Sequence, residues 1–109
     1  MSDTTEIRAN DGIATLINVF EVEPAKQQEL VDLLNEGTEK VAKTRPGFVS
    51  VTVLASLDGS RVVNYAQWES PEALRAVQGD AEMGGYARRT AELAKAAPAV
   101  YRVAAVHHA

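Results

Sequence analysis

Between Phe48 and Glu69 the chain reads FVSVTVLASLDGSRVVNYAQWE. Two runs rich in β-branched side chains flank one Asp58-Gly59 pair, a tight-turn signal, so the segment predicts an antiparallel hairpin of Phe48–Ser56 and Arg61–Glu69. A two-stranded hairpin is marginal in water and must lay one face on something else. The flanking sequence supplies partners. Ile13–Glu23, IATLINVFEVE, is a further β-branched run and predicts a first strand, ended by Pro24. Leu30, Leu33, Leu34 and Val41 then recur at helical spacing, so a helix is expected from Ala25 to about Thr44, broken by RPGF. After the hairpin, Ser70-Pro71 opens a short helix and Asp80 caps a longer one, with Met83, Tyr86, Ala87, Thr90, Ala91 and Ala94 on one stripe. Pro98 is expected to stop that helix, and AVYRVAAVHH to close the chain as a fourth strand.

The order β-α-β-β-α-β is that of a ferredoxin-like α+β fold, a four-stranded antiparallel sheet with both main helices on one face. A sheet wet on its other face should alternate apolar with polar residues. Here both alternating sets are largely apolar: Leu16, Phe20 and Val22 against Ile13, Ile17 and Val19, and Phe48 and Leu54 against Val49, Val51 and Val53. The second face is therefore expected to pack on another copy, giving a homodimer in the form of a dimeric α/β barrel, the alternative being a monomer with an apolar exposed sheet. The chain of 109 residues, 46% hydrophobic, suits one domain, 12–109, behind a polar leader, 1–11, expected to be flexible. Its net charge of −4, with basic residues scattered among acidic ones, argues against a nucleic-acid partner. With no cysteine there is no thiolate chemistry, and with no long apolar run no membrane partner is expected; the location expected is cytoplasmic.

Along the third strand Val62, Asn64, Ala66 and Trp68 share one face, with the small Ala66 between two polar-tipped side chains. Leu16, Asn18, Phe20 and Val22 alternate likewise on the first strand, so a second amide enters the same apolar space. Buried amides need partners, and an apolar pocket with a few convergent donors is the usual form of a small-molecule site. Taken singly, each Asn could bond neighbouring backbone and Trp68 could be a core aromatic. His107 and His108, adjacent near the chain end, read as a solvated tail, and no metal-ligand spacing is present. Gly84-Gly85 within the second main helix marks either a close approach or a frayed helix start. Read alone, Arg88 is a solvated residue paired with Glu92 one turn on.

The run PGFVSVTVLASLDGSRVVNYAQWES, with INVFEVE before it and the arginine-bearing helix after it, resembles the antibiotic biosynthesis monooxygenases, in particular the cofactor-independent quinone-forming enzymes of aromatic polyketide biosynthesis. The resemblance implies a dimer of ferredoxin-like domains that uses dioxygen to oxidise a polycyclic phenol, anthrone or hydroquinone to a quinone, with no cofactor and no metal. It implies that Asn64, Trp68 and Arg88 bind the substrate's oxygens, with Tyr86 nominated as proton carrier and Asn18, Phe20, Leu54, Ala66 and Leu74 as substrate-binding residues. Leu54 and Leu74 stand where those enzymes carry a histidine and a tyrosine, which puts the same proton relay in question. The haem-degrading monooxygenases of the same fold are also similar, through Asn18 and Trp68, but they need an axial histidine where this chain has Tyr86. A third reading is a non-catalytic dimeric module that binds a small aromatic ligand.

Overall fold

A computed structural model describes residues 3–109. Strand β1 (Ala14–Val22) leads through a 3-10 turn into helix α1 (Gln27–Lys40), and a second 3-10 turn leads to β2 (Phe48–Ala55). Strand β3 (Arg61–Trp68), helices α2 (Pro71–Gln78) and α3 (Ala81–Leu93) and strand β4 (Ala94–Tyr101) complete the chain. The sheet is antiparallel in the order β2-β3-β1-β4, the ferredoxin-like arrangement expected from the element order. The caps act as their residue types require. Ser70 Oγ accepts from Ala73 N at the start of α2, and Asp80 Oδ1 accepts from Glu82 N and Met83 N at the start of α3. Arg45 donates to both Asp80 oxygens, at 2.7 and 3.3 Å, tying the loop before β2 to that helix start.

Three expectations are corrected. First, Pro98 does not end the helix: α3 stops at Leu93, and Pro98 lies within β4 opposite Asn18. Alanine favours helix, yet pairing with β1 prevails, and an edge strand tolerates the missing N–H of proline. Second, β4 ends at Tyr101, so His107 and His108 lie beyond it, exposed. Third, a bulge between Phe48 and Ser50 shifts the alternation of β2 by one residue. Phe48 lies opposite Trp68, Val51 opposite Ala66 and Val53 opposite Asn64, so these three face the helices, whereas Leu54 joins Ser50 and Thr52 on the outer face and is 51% exposed. Val51 and Val53 thus lie under the helices and not on the outer face with Val49, and Leu54 is not placed to touch a ligand under the helices.

Beneath the helices the core forms two clusters. Ala14, Ala42, Ala66, Trp68, Leu74 and Val77 gather at one end, and Phe20, Val22, Leu30 and Val62 at the other. The outer face carries Ile17, Val19, Val63 and Tyr65, all half-buried, beside exposed Leu54 and Tyr101. Of the leader, Met1 and Ser2 lie outside the described residues. Thr5 Oγ1 donates to Gln67 Oε1 at 2.9 Å and Gln67 Nε2 donates to the carbonyl of Glu6 at 2.8 Å, so this part of the leader crosses the outer face of β3. Among the described residues no helix is long and apolar enough to cross a membrane.

Candidate active site

Where the two core clusters fail to meet, a cavity of about 270 Å³ lies between the sheet and helices α1 and α3. Its floor is built by strand alternation. Asn64, Ala66 and Trp68 of β3 lie beside Leu16, Asn18 and Phe20 of β1, and Asn18 stands directly opposite Asn64 in the register. The two carboxamides are thus neighbours across the strands. Asn18 Oδ1 accepts from Ala97 N at 3.1 Å and is committed to holding β4. Asn64 is not committed: its Oδ1 is buried without a hydrogen-bond partner. Trp68 is 2% exposed and meets Phe48 edge-on, with centroids 5.5 Å apart. Among the described residues its indole N–H likewise has no partner. The floor is therefore apolar at Ala66 and Phe20 and carries unspent hydrogen-bonding groups at Asn64 and Trp68.

Gly37 of α1 and Met83, Gly84 and Tyr86 of α3 form the walls. A Cβ on Gly37 would stand 3.1 Å from Tyr86 Cγ, so the glycine is what lets the ring lie against α1. Tyr86 presents its ring to the cavity, but its hydroxyl donates to Glu36 Oε2 at 2.8 Å, which also accepts from Arg89 Nη1 at 3.1 Å. The guanidinium of Arg89 stacks on the same ring at 5.3 Å. The carboxylate accepting its proton lifts the Tyr86 hydroxyl above the ordinary phenol range, and bonds from Tyr86 and Arg89 hold Glu36 below the ordinary carboxylate range. Tyr86 therefore stays neutral with its proton aimed at Glu36, an arrangement of a fixed wall more than of a base. Sequence reasoning missed this trio because Glu36 is 50 residues from Tyr86, on a different helix.

The remaining expected residues are divided by the fold. Arg88 is exposed and folds back over the glycine pair, a Cβ on Gly84 standing 3.6 Å from its Nη1. Gly84 lines the cavity, so Arg88 sits at the rim; it forms no ion pair with Glu92 or any other described residue. Gly84 and Gly85 are both helical, so the helix start is not frayed there. Leu74 is 3% exposed and packs in the cluster that holds Trp68, behind the cavity. The lining does not suit haem: it holds no histidine, and the hydroxyl of Tyr86, the one phenol able to act as axial ligand, is occupied by Glu36.

Comparison with known proteins agrees with this architecture. The sequence profile of the family described as "Antibiotic biosynthesis monooxygenase" matches residues 13–89. The tetracenomycin-F1 monooxygenase of Streptomyces glaucescens is 49% identical over 74 residues, 68% of this chain and 66% of that protein, so the match spans just under two thirds of the relative's length. A monooxygenase from the gene ActVA-Orf6 of Streptomyces coelicolor, solved with nanaomycin D, superposes with a TM-score of 0.69 at 35% identity, covering 89% of this chain and 93% of that one. SnoaB, a cofactor-independent oxygenase from Streptomyces nogalater, shares the fold at a TM-score of 0.70 and 21% identity, over 87% of this chain and 96% of its own. A profile match over most of the chain and close identity to a curated relative lead to one conclusion: the chain belongs to the antibiotic biosynthesis monooxygenase family.

Proposed function

We propose that the cavity binds a polycyclic phenol, anthrone or hydroquinone and that the protein oxidises it to a quinone with dioxygen, using neither flavin nor metal. The observation that carries the reading is Asn64, a carboxamide on the cavity floor that the protein leaves without a hydrogen bond. A half-turn about χ2 offers a bound ring oxygen either end of that amide. The names of two relatives, one acting on tetracenomycin F1 and one solved with nanaomycin D, support an aromatic polyketide as the substrate class.

Such a substrate loses a proton to give an electron-rich anion, which can pass an electron to dioxygen itself. For an anthrone the balance is one CH2 and one O2 going to one carbonyl and one water. The protein's task is to favour the anion. The Trp68 N–H and the Asn64 NH2 are the donors assigned to the anionic oxygen, Phe20 and Ala66 the apolar platform, and Arg88 the positive charge at the rim. Preorganised donors of this kind are each worth about 10²–10³ in rate in a water-poor site. With the proton of Tyr86 directed at Glu36, the pocket acts by lowering the pKa of the bound substrate, so that it loses its proton more readily, rather than by presenting a strong base. The outer face of the sheet is assigned to a second copy of the chain. The test is oxygen uptake by an anthrone with chelator-treated, flavin-free protein. Acceleration over the buffer rate is expected; tight binding without uptake would favour the ligand-binding module.

A further inference from the structure

A groove of about 340 Å³ runs between α1 and the edge strand β2, and it shares two lining residues with the cavity, Thr38 and Val51. On α1, Leu34 and Gly37 face the cavity while Asn35 and Glu39 face the groove, so Thr38 stands on the boundary between the two stripes. On β2, Val51 serves both spaces and Val53 lines the groove but not the cavity. Thr38 Oγ1 donates to the carbonyl of Leu34 at 2.9 Å, which fixes its rotamer and leaves its methyl for packing. Nothing else is common to the two linings. By itself the cavity is smaller than the roughly 300–1,000 Å³ of ordinary ligand sites, and with the groove it falls well inside that range.

We propose that the groove is a second subsite of the cavity, taking the distal rings of a polycyclic ligand, and that Thr38 and Val51 form the gate that sets how many rings are admitted. This rests on the reading of the cavity as an aromatic site and deepens it. The chemistry of the groove adds a preference. Asn35 and Glu39 are both exposed along it, with Glu39 paired to Lys43 at 3.1 Å, so a distal substituent that donates hydrogen bonds, such as a phenolic hydroxyl or an amide N–H, is favoured there.

The test reads binding without turnover. Trp68 is the single tryptophan and lines the cavity, so its fluorescence reports occupancy there. The probes are 1-naphthol, with two rings, and a four-ring hydroxyquinone. Val51→Phe, which also narrows the cavity, should weaken the four-ring probe about 10-fold or more and 1-naphthol to a clearly smaller extent. Val51→Ala should tighten the four-ring probe selectively. Ala55→Phe, which fills the groove from an exposed position away from the cavity, should reproduce the selective loss even if Val51→Phe folds poorly. Equal effects on both probes, or none on either, would overturn the gate. Size-selective binding without oxygen uptake would uphold the subsite and remove the oxidation reading, and failure of both probes to quench Trp68 would overturn both.

Discussion

Replacing Asn64 by leucine should make the protein more stable and less active. The Asn64 Oδ1 is buried with no donor in reach, and an unsatisfied buried acceptor costs about 1–3 kcal/mol. Leucine removes that cost and keeps a branched side chain of similar reach, whereas alanine would enlarge the cavity and bring a penalty of its own. The position tolerates an apolar residue, since its other cross-strand neighbour, Val53, is apolar. For a domain of this size each kcal/mol moves Tm by about 4–8 °C, so Asn64→Leu should raise Tm of the ligand-free protein by at least about 4 °C. The same substitution removes the group assigned to the substrate oxygen and should lower kcat/KM about 10-fold or more. Asn18→Leu is the internal control: Asn18 already accepts from Ala97 N, so no gain in Tm is expected there. Thermal unfolding by circular dichroism and steady-state oxygen uptake read the two effects. A lower Tm with unchanged turnover per folded molecule would show that Asn64 is a structural amide and refute the reasoning.

Trp68→Phe keeps most of the apolar area and its edge contact with Phe48 while deleting the N–H, so oxygen uptake should fall about 10-fold or more with the fold retained, as read by circular dichroism. Val63→Lys places a charge on the outer face of β3, beside Val19 and Leu54; light scattering should give twice the chain mass for the parent and one chain mass for the variant, and a monomeric parent would remove the barrel. On the acid side, bonds from Ser60 N, Ser60 Oγ and Ser56 Oγ hold the Asp58 carboxyl down to about 2. Its folded value lies below its unfolded value, so its contribution is complete above about pH 4 and is lost as pH falls toward 2; Asp58→Asn should flatten the fall of Tm over that window.

The element order was legible because the signals are local: period-two runs, a Ser-Pro and an Asp cap, and Asp58-Gly59, where Gly59 takes φ +82° in the turn. Facing was legible in β1 and β3, where alternation runs unbroken, and so Asn18, Asn64, Ala66 and Trp68 fall on one floor as expected. It failed in β2 because a bulge leaves no mark in a run of valines; only pairing with β3 reveals that one residue is extra, and Leu54 was misplaced with it. Pro98 misled because a helix breaker in an alanine-rich run says where a helix cannot continue but not that β1 has already claimed the segment as an edge strand. The ties of Tyr86 to Glu36 and of Arg45 to Asp80 join residues 50 and 35 positions apart, the first depending on how the two main helices meet and the second on how the loop before β2 meets the start of α3. No periodicity encodes them.

Oxidation by dioxygen without a flavin or metal is tested most directly by isotope labelling. Purified protein, stripped of flavin and treated with chelator, is supplied with an anthrone under 18O2, and the quinone is analysed by mass spectrometry beside a reaction in H2 18O, each worked up before carbonyl exchange. The account predicts one labelled oxygen in the quinone from 18O2, none from labelled water, and loss of the enzymatic rate in Asn64→Leu. Product labelled from water, or turnover that appears only when a flavin or metal is restored, would contradict it.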